Sequence, residues 1–353
     1  MEENRINALV FDWGNTIMVD EPCSSGKMKD REQVRVVSTA RETLATLAQT
    51  YPLYLASNAM DSNSFEISEA LKRVDLDHYF KRIFTGRDFD APKSEPVFYQ
   101  RLTKWIGFPA ETIVMIGDNF QQDVLSPSAS GLKTVWFNPS KNTAPALLPI
   151  QDMEIRVLVE LIEVLEKTFL PDPATCMSWY LERHASHALL AHVQNVAAIA
   201  YQIAIWVDQS CAQCSPLLAH RGALIHDIAK LEEGQGKNHA QLAAEFLISQ
   251  NQPELAEIAR RHLISDMENG ENDPVTWEEK IVNYADKLSE GSQLVSLDER
   301  LAYIKERYPA FSDKILRNTP KIKKLESEIL DCLQLTENQF HTLLKAALFN
   351  KSV

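Results

Sequence analysis

Three carboxylates, one hydroxyl and one ammonium are placed around the ends of short apolar runs in the first half of this 353-residue chain. Asp12 directly follows Ala8-Leu-Val-Phe11, Ser57 follows Leu53-Tyr-Leu-Ala56, and Gly117-Asp118 follow Ile113-Val-Met-Ile116. Lys93, in Ala91-Pro-Lys-Ser-Glu-Pro96, and Asp123, in Gly117-Asp-Asn-Phe-Gln-Gln-Asp123, complete the set. Grouped carboxylates repel one another and need a cation, and a hard dication such as Mg2+ also offsets the charge of a phosphate. Ser57 and Lys93 can hold the remaining phosphoryl oxygens. The chemistry that uses all five groups is phosphoryl transfer.

The second half carries a different set. Eight of the nine histidines lie beyond Pro171. His226 and Asp227 sit side by side in the mostly apolar Ala223-Leu-Ile-His-Asp-Ile-Ala-Lys230, where two ionisable groups are costly unless bound to something. His192 precedes Val193, Val196, Ile199 and Ala200, and Asp286 lies in Ile281-Val-Asn-Tyr-Ala-Asp-Lys287. Four ligands on three helices can converge on one divalent metal, and imidazole with carboxylate suits Zn, Mn, Fe, Co or Ni. Such a metal lowers the pKa of bound water and polarises a phosphoryl oxygen, giving hydrolysis without a protein nucleophile.

In order and placement, Asp12-Trp-Gly-Asn-Thr16, Ser57, Lys93 and Gly117-Asp-x4-Asp123 resemble the haloacid dehalogenase (HAD) superfamily, over about residues 5 to 140. The resemblance implies that Asp12 is the nucleophile that forms an aspartyl-phosphate. It also implies that Ser57, Asn58 and Lys93 bind substrate, and that Asp12, Asp118 and Asp123 hold Mg2+. From about residue 179 to 310 the chain resembles the HD-domain metal-dependent phosphohydrolases, through His192, His226-Asp227, Asp286 and the phrase Val295-Ser-Leu-Asp-Glu-Arg300. That likeness implies a transition-metal site on His192, His226, Asp227 and Asp286, with Asp227 catalytic and Lys230 or Lys287 on the substrate phosphate. His239 and His262 occupy the places where binuclear members carry two more histidines, which implies a second metal. A few HD relatives use such a pair of irons on organic substrates, so a di-iron oxygenase stands beside the hydrolase.

One departure matters. HAD phosphatases usually carry a second aspartate two residues after the nucleophile, to protonate the leaving group and activate water, and that position is Gly14. Phosphomonoester turnover is then expected to be slow unless Asn15, the substrate or another side chain substitutes. The first domain could alternatively serve as a phosphate-binding or regulatory module for an HD enzyme. Only 45 positions separate Asp12 from Ser57 and 36 separate Ser57 from Lys93, which leaves little room for an inserted cap. The site is expected to be open, suiting a bulky substrate or a lid from the second domain or another subunit.

The elements that must carry these groups follow from periodicity. Apolar runs at Ala8 to Phe11, Leu53 to Ala56, Arg82 to Phe84, Ile113 to Ile116 and Thr134 to Phe137 alternate with helical patterns at Val34 to Leu47 and Phe65 to Val74. This predicts a Rossmann-like α/β domain with a parallel sheet, no large cap, and ligands at the carboxyl ends of its strands. A helix over Met153 to Phe169, then Pro171-Asp-Pro173, ends the first domain at 170. Residues 174–353 read as all helix, with long patterns at Ser178 to Val207, Ser215 to Leu231 and Trp277 to Leu288.

Composition narrows the field. Hydrophobic residues make up 45% and charged residues 24%, which excludes disordered and fibrous classes. A net charge of -13 disfavours general nucleic-acid binding and leaves a small phosphorylated metabolite or nucleotide as the partner, with a homo-oligomer admissible. Apolar runs of strand length and the polar start Glu2-Glu-Asn-Arg5 give neither a membrane span nor a signal peptide. Five scattered cysteines make no disulfide framework, and Cys211 with Cys214 lacks the second pair that zinc would need, so a reducing cytoplasm fits. Taken together, the sequence predicts a bifunctional phosphohydrolase.

Overall fold

A computed structural model describes residues 6–20, 27–232 and 236–349. The polar start at Glu2 to Arg5 and one cysteine, Cys23, lie outside the described residues. The chain forms two compact units: the first takes the described residues up to Asn142 with Ile150–Phe169, and the second takes Thr143–Pro149 with the residues from Leu170 onward.

The first unit is built on six parallel strands, β1 (Ala8–Asp12), β2 (Leu53–Ser57), β3 (Phe80–Thr85), β4 (Ile113–Gly117), β5 (Lys133–Phe137) and β6 (Met153–Ile155), in the order β3-β2-β1-β4-β5-β6. Every residue of β1, β2 and β4 is buried, as expected for parallel strands covered on both faces. Period-two alternation splits β1 between two cores: Leu9 and Phe11 pack on one side, Ala8 and Val10 on the other. The longer helices are α1 (Ala40–Leu47), α2 (Ser64–Lys72), α3 (Pro96–Ile106) and α4 (Glu160–Val164). Strand order reverses between β1 and β4, and such a switch point leaves a crevice at the carboxyl ends. Among the described residues, no cap domain is inserted between β1 and β2.

Two expectations for this unit are corrected. Helix α1 starts at Ala40, because Val36 pairs with Met18 in an extended bridge. The predicted helix over Met153 to Phe169 is a strand followed by a single helical turn and a half. Asp152 accepts hydrogen bonds from the backbone of Thr134 and the ammonium of Lys133, each 2.8 Å, and so pins β6 to the sheet edge. The backbone N–H of Arg156 donates to Glu160 at 2.7 Å, which delays the helix start. Ile155, Leu158, Leu161 and Leu165 still enter one core, and that shared burial gives them their helix-like spacing.

In the second unit the helices are α5 (Pro173–Glu182), α6 (His187–Ser210), α7 (Pro216–Ile225), α8 (His239–Ser249), α9 (Pro253–Arg260), α10 (Trp277–Lys287), α11 (Leu297–Arg307), α12 (Ser312–Leu333) and α13 (Glu337–Phe349). The pattern from Ser178 to Val207 is two helices rather than one: His184 takes a left-handed conformation, and the Ser186 hydroxyl caps α6 by accepting from Leu189 N–H at 3.2 Å. The unit is also not wholly helical, since Ser289–Glu290 and Gln293–Leu294 form a small antiparallel hairpin, β7 and β8, turning at Gly291 with φ of 58°. Contrary to the expectation of strand-length apolar runs only, α6 is long and apolar enough to cross a membrane, but it is mostly buried as the core helix of its own unit. The cysteine expectation changes as well. Cys211, at the end of α6, is disulfide-bonded to Cys332 in α12, 121 residues away, while Cys214 is buried outside that bond.

Candidate active sites

The strand-end groups meet at the carboxyl edge of the first sheet. Asp12 ends β1, Ser57 ends β2 and Asp118 follows β4, while Asp123 sits in a π-turn over Phe120–Leu125. Oxygens of Asp12, Asp118 and Asp123 lie within 4.8 Å of one another. Gly117 makes this possible, because a Cβ there would fall 2.3 Å from the Asp123 carboxyl. The fully buried Lys93 ammonium bonds Asp12, lies 2.5 Å from Oδ1 of Asp123, and donates to Ala56 O at 3.2 Å. Asn58 fixes the lysine loop by accepting from Lys93 N–H at 2.8 Å. Asn119 N–H donates to Asp123 Oδ2 at 2.9 Å, and Thr16 donates to Asp118 at 3.3 Å.

Burial, then repulsion by Asp12, pushes the Asp118 carboxyl up to about 6. Burial raises Asp123 to about 7 against the pull of Lys93. Burial alone would lower the Lys93 ammonium, but Asp12 and then Asp123 hold it protonated. One ammonium against three carboxylates leaves the cluster short of positive charge, and the all-oxygen donor set fits a hard dication. A cavity of about 390 Å3, lined among others by Asp12, Ser57, Asn58 and Asp118, opens over these groups.

In the second unit, six ionisable side chains gather in the interior. His192 comes from α6, His226 and Asp227 from the turn that ends α7, His239 from the first turn of α8, His262 from just past α9, and Asp286 from α10. Asp227 sits at the centre. Its Oδ2 faces His226 Nε2 at 3.4 Å and His192 Nε2 at 3.8 Å, and its Oδ1 faces His239 Nε2 at 3.2 Å and His262 Nε2 at 3.4 Å. Asp286 joins the first side, 3.2 Å from His192 Nε2 and 3.8 Å from His226 Nε2. The opposite ring nitrogens are tied back: Nδ1 of His226 bonds Ala223 O at 2.7 Å and Nδ1 of His262 bonds Ala259 O at 2.6 Å. The Nε2 atoms of His192 and His226 and Oδ1 of Asp227 are buried without hydrogen-bond partners, so they are free to ligate. Imidazoles with carboxylates could hold a divalent transition metal, and Asp227 faces both halves of the cluster.

Burial opposes charge on Asp227 and Asp286, yet His226 with Lys230, and Lys287 with His192, hold the two carboxyls well below the usual range. Burial lowers His262 to about 4, which keeps that imidazole neutral as a ligand must be. Lys230 bonds Asp227 itself, and the buried Lys287 spans His262 O at 2.5 Å and Asp286 at 2.9 Å. A cavity of about 740 Å3 adjoins the set. Its far wall, Tyr303, Tyr308, Phe311 and Lys314, escaped the sequence reading, and the aromatic and basic residues from Tyr303 to Lys314 are the signal that could have found it. His220 instead pairs with Arg221 at 2.8 Å, away from the site.

Family models bear on both regions. One described as haloacid dehalogenase-like hydrolase matches residues 22–137, and one described as HD domain matches residues 189–291. The chain is an HAD-like hydrolase domain fused to an HD domain. The HAD–HD fusion is 29% identical over 136 residues to the glyceraldehyde 3-phosphate phosphatase of Pyrococcus furiosus, covering 38% of this chain and 56% of that protein. It is 29% identical over 110 residues to the pyrimidine 5'-nucleotidase PynA of Streptococcus pneumoniae, covering 31% and 45%. It is 30% identical over 156 residues to the uncharacterized protein MJ0778 of Methanocaldococcus jannaschii, covering 41% and 88%. The fusion thus spans about half the length of the two phosphatases it matches.

Proposed function

We propose that the fusion is a bifunctional phosphohydrolase acting on small phosphorylated metabolites or nucleotides. The observation that carries this reading is the pair of separately assembled charge clusters, one of oxygens at strand ends and one of imidazoles around Asp227. In the first unit Asp12 is the nucleophile, Ser57 and Lys93 hold the phosphoryl oxygens, and Asn58 keeps Lys93 in place. Asp12, Asp118 and Asp123 would hold Mg2+, which supplies charge neutralisation when bound. In the second unit His192, His226, Asp227 and Asp286 would hold one transition metal and His239, His262 and Asp227 a second, supplying an acidified water and a polarised phosphoryl oxygen when bound. Lys230 and Lys287 keep the two carboxylates ionised, and Lys230, at the cavity, binds substrate phosphate. Hydrolysis is the reading preferred to di-iron oxygenation, because the residues around Asp286 resemble phosphohydrolases.

The test is a phosphoester panel run on wild type, Asp12→Asn and Asp227→Ala with Mg2+ and with a series of transition metals. Two activities are expected, each removed by one variant. Loss of all turnover in Asp227→Ala and of none in Asp12→Asn would leave the first unit as a phosphate-binding module. Oxygen consumption coupled to substrate loss, with iron retained, would overturn the hydrolase reading of the second.

A further inference from the structure

The first site has a nucleophile and groups to hold a phosphate, but Gly14 stands where an acid would serve the leaving group. Transfer of phosphorus to Asp12 expels an alkoxide unless a proton reaches the leaving oxygen. A Cβ built on Gly14 would have as its nearest atoms, outside its chain neighbours, Cβ and Oδ2 of Asp20, each at 3.8 Å. We propose that Asp20, reaching over Gly14 from the following loop, is the acid and base of this site. The proposal rests on the phosphoryl-transfer reading of the first unit.

The loop is built to deliver that carboxyl. Asn15 takes a left-handed conformation with φ of 54°, its N–H donates to Met18 O at 2.7 Å, and Met18 N–H donates to Trp13 O at 3.0 Å. The chain therefore doubles back immediately after Asp12. Asn15 Oδ1 then accepts from Asp20 N–H at 3.0 Å, fixing where the aspartate emerges. Arg31 lies 2.9 Å from Oδ1 of Asp20, while Oδ2 is one of the two Asp20 atoms nearest Gly14. Asp20 lines the same cavity as Asp12 and Ser57.

Of the other acidic groups of the cavity, Asp12 and Asp118 belong to the carboxylate cluster itself. Glu66 caps α2 and bonds Lys27 at 2.7 Å, and that hydrogen bond, with the one from Asn63, draws its carboxyl down to about 2. Asp61, in the loop after β2, accepts from Ser62 at 3.1 Å. The Asn15 carboxamide is too weak an acid to protonate a leaving oxygen, and its Oδ1 already accepts from Asp20 N–H. In the first step an Asp12 oxygen bonds phosphorus, the bond from phosphorus to the leaving oxygen breaks, and that oxygen takes the Asp20 proton. In the second, water gives a proton to Asp20 as its oxygen attacks phosphorus. The bond to Asp12 breaks, phosphate leaves, and both side chains return to their starting state.

The test compares an alkyl phosphate with 4-nitrophenyl phosphate, whose leaving group needs no proton, on the full chain with Mg2+. In Asp20→Asn, alkyl phosphate turnover should fall by about 10²–10⁴-fold, while Asp12 phosphorylation by the aryl ester falls by less than about tenfold. Adding Gly14→Asp to Asp20→Asn should restore alkyl phosphate turnover by at least about tenfold, since the space at Gly14 admits a side chain. Arg31→Gln removes the ion pair but keeps the carboxyl, and should preserve the wild-type ratio of the two substrates. Unchanged alkyl turnover in Asp20→Asn, or an equal loss on both substrates without rescue, overturns the proposal. A wild-type chain that neither phosphorylates Asp12 nor binds beryllium fluoride overturns the phosphoryl-transfer reading beneath it, a result distinct from the first two.

Discussion

In the first unit a buried ammonium stands between carboxylates, whereas in the second a buried carboxylate stands between imidazoles. Lys93 is covalently part of the strand-end cluster and neutralises Asp12 and Asp123 from within. In the helical cluster the lysines bond only the carboxylates, Lys230 at the Asp227 Oδ2 that also faces His226 and His192 and Lys287 at Asp286 Oδ2, and the Nε2 atoms of His192 and His226 stay unpartnered. A site with its own cation can be assembled before its ligand arrives. A site of converging lone pairs gains most of its order from what it binds, so the two should respond differently to the same insult.

The largest difference should come from the central carboxylate. Asp227→Ala removes a group that faces four imidazoles, and hydrolysis at the second site should drop by more than the ~10–100-fold typical of losing an outer partner. Asp12 phosphorylation, followed with beryllium fluoride or an acyl-phosphate, should be unaffected. A parallel loss of both activities would erase the distinction.

Next in size is a stability effect confined to the first unit. Lys93→Met leaves two buried carboxylates facing each other, a change expected to cost about 3–5 kcal/mol. Calorimetry should show the first unit's transition moved down and partly restored by Mg2+, with the other transition in place. Elemental analysis then reads the transition-metal count of the second site: two per chain in wild type, falling to one in His239→Ala or His262→Ala. One metal throughout would reduce the second site to the set around His192, His226 and Asp286.

The smallest effect is a pH dependence. A carboxylate holds Mg2+ only when ionised, and burial raises two of the proposed ligands, Asp118 to about 6 and Asp123 to about 7. Mg2+ affinity at the first unit should therefore be nearly constant only above about pH 7 and weaken as the pH falls through both values, by up to about tenfold per unit for each carboxylate protonated. Calorimetric Mg2+ titration between pH 5 and pH 8, each about one to two units from either value, checks the sign. Tightening on acidification would mean that neither is a ligand.

Much of both sites was legible because their groups are marked by local contrast. An aspartate after four buried apolar residues, or a His-Asp pair inside an apolar helix end, is expensive unless it has work to do. Strand β6 was not legible, because Ile155, Leu158, Leu161 and Leu165 share one core and space themselves as a helix would, while the deciding contacts of Asp152 and Glu160 lie with backbone groups. The bond between Cys211 and Cys332 was hidden by 121 residues of separation, which no local pattern spans. Division of labour between the two oxygens of Asp227 is likewise a matter of side-chain rotation rather than of spacing.

Helix α6 gives that second site a mechanical character. His192 stands in its second turn and Cys211 closes its far end, so the histidine and the covalent anchor lie about 28 Å apart on one rod. Metal coordination tolerates displacements of about 0.5 Å, which over such a lever corresponds to a tilt of only about one degree. The near-continuous packing of α6 is then an alignment requirement as much as a source of stability. Substitutions far along the rod, with no contact to any of the clustered side chains, would reach the proposed metal site as errors of aim.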